Sequence, residues 1–105
     1  MEYLCELKPY GALPNSRQAE HLKIGKKGFL HFGMNTFTDL ERGNGKEDAK
    51  LFNPTVIDCR EWVRKFKMCG FEILIIAAKH HDGFCMWQSE YTEHCMKNSP
   101  YKDGK

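Results

Sequence analysis

The feature that most constrains this chain is the unbroken apolar run Ile73-Leu74-Ile75-Ile76-Ala77-Ala78, standing just beyond a helical pattern and a glycine. A strand with one wet face alternates apolar and polar residues. A run without alternation suits a strand covered on both faces, as in a parallel sheet. Upstream, Cys59, Trp62, Val63, Phe66 and Cys69 recur at i, i+3, i+4, i+7 and i+10, with Asp58 where an N-cap belongs and Gly70 where a helix exit belongs. The shorter run Phe29 to Met34, bounded by glycine, reads as an earlier strand. Strand, connection, helix, glycine turn and buried strand form one βαβ unit with a right-handed crossover. The expected class is therefore α/β, with such units assembling into doubly wound sheets or (β/α)8 barrels.

The remaining segments frame that unit. Pro9, Gly11 and Pro14 break the opening stretch, and Asn15 or Ser16 is placed to cap a short helix ending near Leu22 or Lys23. From Thr36 to Ile57 the sequence is polar, broken by Gly43, Gly45 and Pro54, and has no clear period. Connections usually take ~4–6 residues, so one this long is expected to be functional or disordered. Lys79 to Lys105 is polar and aromatic, carries Asp82-Gly83 and Asp103-Gly104 turns, and shows no third strand.

Composition narrows the function classes. The 105 residues are 41% hydrophobic and 29% charged, with a formal charge of +2 and both signs interspersed. That is the make-up of one ordinary globular unit without a single-sign field, so neither nucleic acid nor an anionic membrane is expected as a partner. Residues 1–8 carry Glu2 and Glu6 and no signal-peptide core, and no run approaches a membrane span, so the expected compartment is cytoplasmic. Cys5, Cys59, Cys69, Cys85 and Cys95 are irregularly spaced without C-x-x-C, which fits reduced thiols.

Ligands of α/β folds bind beyond the carboxyl ends of the parallel strands, so the strand exits are where chemistry is expected. Alternation along the first strand sets His31 on the face opposite Leu30, Phe32 and Met34, in position to face a pocket. The second strand runs straight into Lys79-His80-His81-Asp82-Gly83-Phe84. Alternation sends His80 and His81 to opposite faces, and both meet one ligand only if the chain bends, as Asp82-Gly83 permits.

Lys79-His80-His81-Asp82-Gly83-Phe84, followed by Trp87 and Ser89-Glu90-Tyr91-Thr92, resembles the signature segment of the α-L-fucosidases of glycoside hydrolase family 29. Phe29 through Phe37 is similar to that family's first strand, and Phe52-Asn53-Pro54, Asp58, Trp62, Gly70, Asn98-Ser99-Pro100 and Lys102-Asp103 continue the match. The resemblance covers roughly residues 9 to 105, and agreement over several separated segments is far more specific than one short motif.

It implies a (β/α)8 barrel, of which residues 1–105 are the amino-terminal, incomplete portion of one catalytic domain: the first two parallel strands, the first helix and a long first βα loop. The implied activity is retaining hydrolysis of terminal α-linked L-fucose from oligosaccharides or glycoconjugates, with no cofactor and no metal. His31, His80 and His81 match histidines that hydrogen-bond the sugar, and Glu41 matches the acidic member of a Glu-Trp pair that also reaches it. Arg42 stands where the pattern has tryptophan. The nucleophilic aspartate and acid/base glutamate of the family fall further along than residue 105, so no catalytic residue is assigned and these residues alone are expected to be inactive.

Other readings of the same residues remain. Asp82 suits a turn better than catalysis, and Phe32, Phe84 and Trp87 suit a core beside strands better than sugar contact. Trp62 belongs to the helix's packing stripe. His80, His81, Asp82, Cys85, His94 and Cys95 offer zinc ligands, but at spacings structural zinc sites seldom use. A carbohydrate-binding module would hold a sugar with the same histidines without cleaving it.

Overall fold

A computed structural model describes residues 10–105. Its elements are α1 (Ser16–Lys23), β1 (Lys26–Leu30), α2 (Asn35–Thr38), a 3-10 turn Ala49–Leu51, α3 (Cys59–Met68), β2 (Phe71–Ile76), and 3-10 turns Met96–Asn98 and Tyr101–Gly104. β1 and β2 pair in parallel, with Gly28 opposite Leu74 and Leu30 opposite Ile76. The chain is α/β, built on the expected βαβ unit.

The local signals for the helices hold. Asn15 caps α1, its side chain accepting the Gln18 amide at 2.9 Å while Gln18 Oε1 accepts the Asn15 amide at 2.8 Å. This reciprocal pair fixes the start of a helix that buries none of its own residues. Asp58 caps α3 by accepting the Glu61 amide at 2.9 Å, and Gly70 leaves the helix at φ +81°.

Both strands lie upstream of their apolar runs. β1 takes in Lys26 and Lys27 and ends at Leu30, so His31 through Met34 are outside the sheet. Within the strand α3 sits close on β1, where a Cβ on Gly28 would stand 2.7 Å from Phe66 Cε1. Only glycine lets the helix approach so near. β2 likewise starts at Phe71 and stops at Ile76. The cover expected on both faces of the second strand is absent among the described residues, with Ile75 45% and Ile76 63% exposed. Among the described residues the two-stranded sheet has α3 to cover part of it and no neighbour at the outer edge of β2.

The core lies elsewhere, over the carboxyl ends of the strands. Met34, Ala49, Phe52, Phe84 and Met96 form it, with Phe32, Phe37, Ile57, Met86 and Tyr101 packed around. Phe52 is fully buried; its ring centroid is 5.2 Å from Phe37, 5.3 Å from Phe84 and 5.7 Å from Phe32. Its carbonyl accepts the Ser99 hydroxyl, tying Ala49–Phe52 to the carboxyl-terminal turns. The long connection is thus an ordered contributor to the core, held by apolar residues too widely spaced to leave a period.

Phe52→Ala would remove the ring at the centre of this cluster at a cost of roughly 3–5 kcal/mol, a large share of the ~5–15 kcal/mol that stabilises an ordinary domain. Urea unfolding followed by near-UV circular dichroism is expected to lose its cooperative transition. A midpoint unchanged from the parent chain would mean that the strand contacts, not this cluster, hold the fold.

Candidate functional site

Beyond β2 the chain doubles back. Lys79 and Cys85 form an antiparallel bridge, the Gly83 amide donates to the His80 carbonyl at 3.0 Å, and Asp82 Oδ1 accepts the Phe84 amide at 2.8 Å. Asp82 is therefore the turn residue its place before Gly83 suggested. This bend brings the neighbouring imidazoles together, with His80 and His81 ring centroids 4.9 Å apart and nearly perpendicular.

His31, just past β1, completes a row of three rings, its centroid 4.2 Å from that of His80. The structure thus unites His31, His80 and His81 at the strand exits. His31 and His81 are exposed and His80 half-buried. Asn35, at the start of α2, donates its amide Nδ2 to His31 Nε2 at 3.4 Å, which leaves the proton of a neutral ring on Nδ1. Asn35 belongs to this site as an orienting residue. Strand alternation would set Asn35 on the same face as His31, and that shared parity is the signal the sequence carries for it.

Glu41 and Arg42 are not drawn into the cluster. Both are exposed on the connection after α2, with no side-chain hydrogen bond or ion pair among the described residues. Two residues further on, the connection is pinned. Gly43, at φ +71°, has no room for a side chain, since a Cβ there would stand 2.3 Å from Glu47 Oε1 and 2.8 Å from Asp82 Cβ.

Glu47 and His94 are the residues that sequence reading did not connect. Glu47 is buried and its Oε1 accepts the Asn44 amide at 2.6 Å. His94 Nε2 lies 3.1 Å from the Asp82 carbonyl and 3.8 Å from Glu47 Oε2. A carbonyl only accepts, so His94 Nε2 carries a proton there. Burial works against charge on Glu47, but the amides of Asn44, Glu47 and Gly45 together with the imidazole of His94 outweigh it, holding its carboxyl below the usual 4.5.

Five buried side-chain polar atoms lack a hydrogen-bond partner among the described residues: Asn35 Oδ1, Thr38 Oγ1, Glu47 Oε2, His80 Nδ1 and Asp82 Oδ2. All belong to the two segments that roof the strand exits. Elsewhere, a groove of about 800 Å3 along α1, among Pro14, Arg17, Gln18 and His21, carries no comparable cluster of polar groups.

The remaining candidates separate clearly. Phe84 is buried in the core and Phe32 packs on it, and Trp62 meets Phe32 at 5.5 Å, as their positions suggested. Trp87 does not follow, being 47% exposed at the rim of an apolar hollow shared with Ile76 and Trp62. Of the possible zinc ligands, Cys95 Sγ turns to the Thr92 carbonyl at 3.3 Å and His94 to Asp82. Among the described residues no three histidine, cysteine or carboxylate groups converge as a metal site would require. Cys59, Cys69, Cys85 and Cys95 are free thiols; Cys5 lies outside the described residues.

The sequence pattern of the α-L-fucosidase family matches residues 15–104. The chain belongs to that family, glycoside hydrolase family 29. It is 46% identical over 100 residues to alpha-L-fucosidase 1 of Arabidopsis thaliana, covering 95% of this chain and 19% of that protein. A glycoside hydrolase 29 family member from an unknown rumen bacterium superposes with a TM-score of 0.85 at 48% identity, over 93% of this chain and 18% of the other. A Ruminococcus gnavus GH29 fucosidase in complex with fucose superposes with a TM-score of 0.74 at 38% identity, over 84% of this chain and 18% of that one. This fucosidase-family chain therefore spans about a fifth of the length of such relatives.

The depressed carboxyl of Glu47 fixes the sign of a pH effect. In the unfolded chain Glu47 returns to the usual value of 4.5, so the unfolded state binds more protons between that value and the lower folded one. Its stabilising contribution is complete above the unfolded value and disappears as pH falls through the folded one. Urea unfolding across the acid range should show a steeper loss for the parent than for Glu47→Gln. Parallel acid limbs would remove Glu47 from the account.

Proposed function

We propose that this chain supplies the first two strands, the helix between them and part of the sugar subsite to a (β/α)8 catalytic domain that hydrolyses terminal α-linked L-fucose with retention. Family membership supports the barrel, and so do the open apolar edge at Ile75 and Ile76 and the hollow bordered by Trp62 and Trp87, surfaces that further strands and helices would cover.

The observation that carries the sugar-binding role is the row of three imidazoles at the strand exits, whose middle member has a buried Nδ1 without a partner. A neutral imidazole donates on one nitrogen and accepts on the other, which suits hydroxyl groups that do both. His31, His80 and His81 would hold fucose hydroxyls, with Asn35 setting the ring of His31. Glu41 would join from the connection above when sugar is bound, and Arg42 would offer planar donors beside it where the family has tryptophan.

The substrate would be a fucosylated oligosaccharide or glycoconjugate, and the binding of fucose by the Ruminococcus gnavus relative supports that class. Retention needs a nucleophilic carboxylate and an acid/base carboxyl ~5–5.5 Å apart. Neither role falls to Asp82, which holds the His80–Phe84 turn, or to Glu47, which holds Asn44. His31, Glu41, His80 and His81 orient sugar, and the bond-breaking pair belongs to another part of the domain. The irregular cysteine spacing and the four free thiols support a reducing, cytoplasmic setting.

The test is a graft of residues 10–105 into a full-length family enzyme in place of its corresponding segment, assayed with an aryl α-L-fucoside. The graft should hydrolyse it, and His80→Ala or His81→Ala should lower kcat/KM roughly 10- to 100-fold, the equivalent of about 1–3 kcal/mol for a lost buried polar contact. Unchanged kinetics in both variants would take the histidines out of the subsite. A folded graft that binds fucosylated glycan without cleaving it would favour a carbohydrate-binding module.

A further inference from the structure

Glu47 and His94 stand 47 residues apart in sequence, as positions 47 and 94 of the chain, and meet in a buried contact that the sugar-binding role above does not use. Their side chains are 4% and 20% exposed. Glu47 comes from the long connection and His94 from the segment after the His80–Cys85 turn. The Asp82 carbonyl also faces His94 Nε2, at 3.1 Å.

The contact closes a chain of fixed neighbours. Glu47 holds the Asn44 amide, Gly43 is pressed against both Glu47 and Asp82, and the Asp82 carbonyl lies on His94. Gly43 is two residues from Glu41, a span of at most ~7.6 Å between Cα atoms. Asp82 directly follows His81. Gly43 therefore ties the stretch next to Glu41 to the residue next to His81.

The groups facing His94 are the Glu47 carboxylate, the Asp82 carbonyl and the Phe84 ring, 5.4 Å away between centroids. Asp48, Lys50 and Glu93 border the shallow opening on its outer side. The apolar ring wall and the two buried acceptors make the contact one that water does not easily replace.

We propose that Glu47 and His94 are positioning residues that clasp the connection bearing Glu41 to the turn bearing His80 and His81, and so set the spacing between the two halves of the sugar subsite. The clasp is a property of the fold; its consequence for sugar rests on the fucosidase reading. Neither residue touches the sugar, and each acts through the segment it fixes.

Two measurements separate these levels. Amide hydrogen exchange on the 105-residue chain should speed at least ~10-fold at 43–47 in Glu47→Ala and in His94→Ala, with exchange around Phe52 unchanged. His94→Gln, whose Nε2 also donates to the Asp82 carbonyl, should restore slow exchange. Glu47→Gln keeps an acceptor for Asn44 and loses the charge facing His94, so it should loosen 43–47 to a smaller degree and remains readable if the truncations do not fold.

In the full-length graft, His94→Ala should lower kcat/KM roughly 10- to 100-fold, with KM rising more than kcat falls, and His94→Gln should recover most of the loss. Unchanged exchange at 43–47 in the alanine variants overturns the clasp whatever the kinetics. Faster exchange with unaltered kinetics in an active graft overturns the positioning role. An unmutated graft that folds but is inert toward the fucoside overturns the sugar role together with the fucosidase reading, and the clasp then stands or falls on the exchange result alone.

Discussion

The burial of Phe52 is the constraint on which the described structure depends. Its ring meets Phe37 from the long connection, Phe32 from the exit of β1 and Phe84 from the turn after β2. Its carbonyl receives the hydroxyl of Ser99 from the final segment. Two short parallel strands alone are marginally stable at best and depend on what packs against them. They are held in place because the segments leaving them converge on one aromatic centre. The pieces that carry His31, Glu41 and His80 are thus parts of the core before they are parts of a site.

This arrangement explains which features were legible in the sequence. Helix α3 was readable to its ends because its signals are local: Asp58 caps it, the apolar stripe repeats along it, and Gly70 closes it in the left-handed region. The βαβ order followed from that helix and the apolar run after it. Strand limits were less legible because contacts across the fold set them. The seat of Phe66 on Gly28 is one such contact, and no periodicity over Phe29–Met34 encodes it. The run Ile73–Ala78 implied cover on both faces, a property of a larger sheet than the two strands described.

The site divides in the same way. His80 and His81 stood out because polar groups abruptly follow an apolar run, and the turn that unites them was written in Asp82-Gly83. Glu47 and His94 could not be connected, since their contact joins two irregular segments across the fold and leaves no spacing signal. Glu41 was named through resemblance alone, and the structure leaves it exposed, outside the histidine row. Residues recognised by local chemistry were therefore found together, while those related only through loop packing were not.

Placing core and site in the same loops couples stability to recognition. An unpaired buried polar atom costs roughly 1–3 kcal/mol, and five such atoms lie in the segments between Asn35 and Glu47 and between His80 and Asp82. A fold selected for stability alone would turn these groups outward or replace them with apolar ones. Here the aromatic cluster beneath them offsets the cost and keeps them fixed at the strand exits. Of these atoms only His80 Nδ1 belongs to the histidine row, and it is the one the proposed sugar role would engage. The aromatic core thus orders these loops and makes the polar arrangement sustainable.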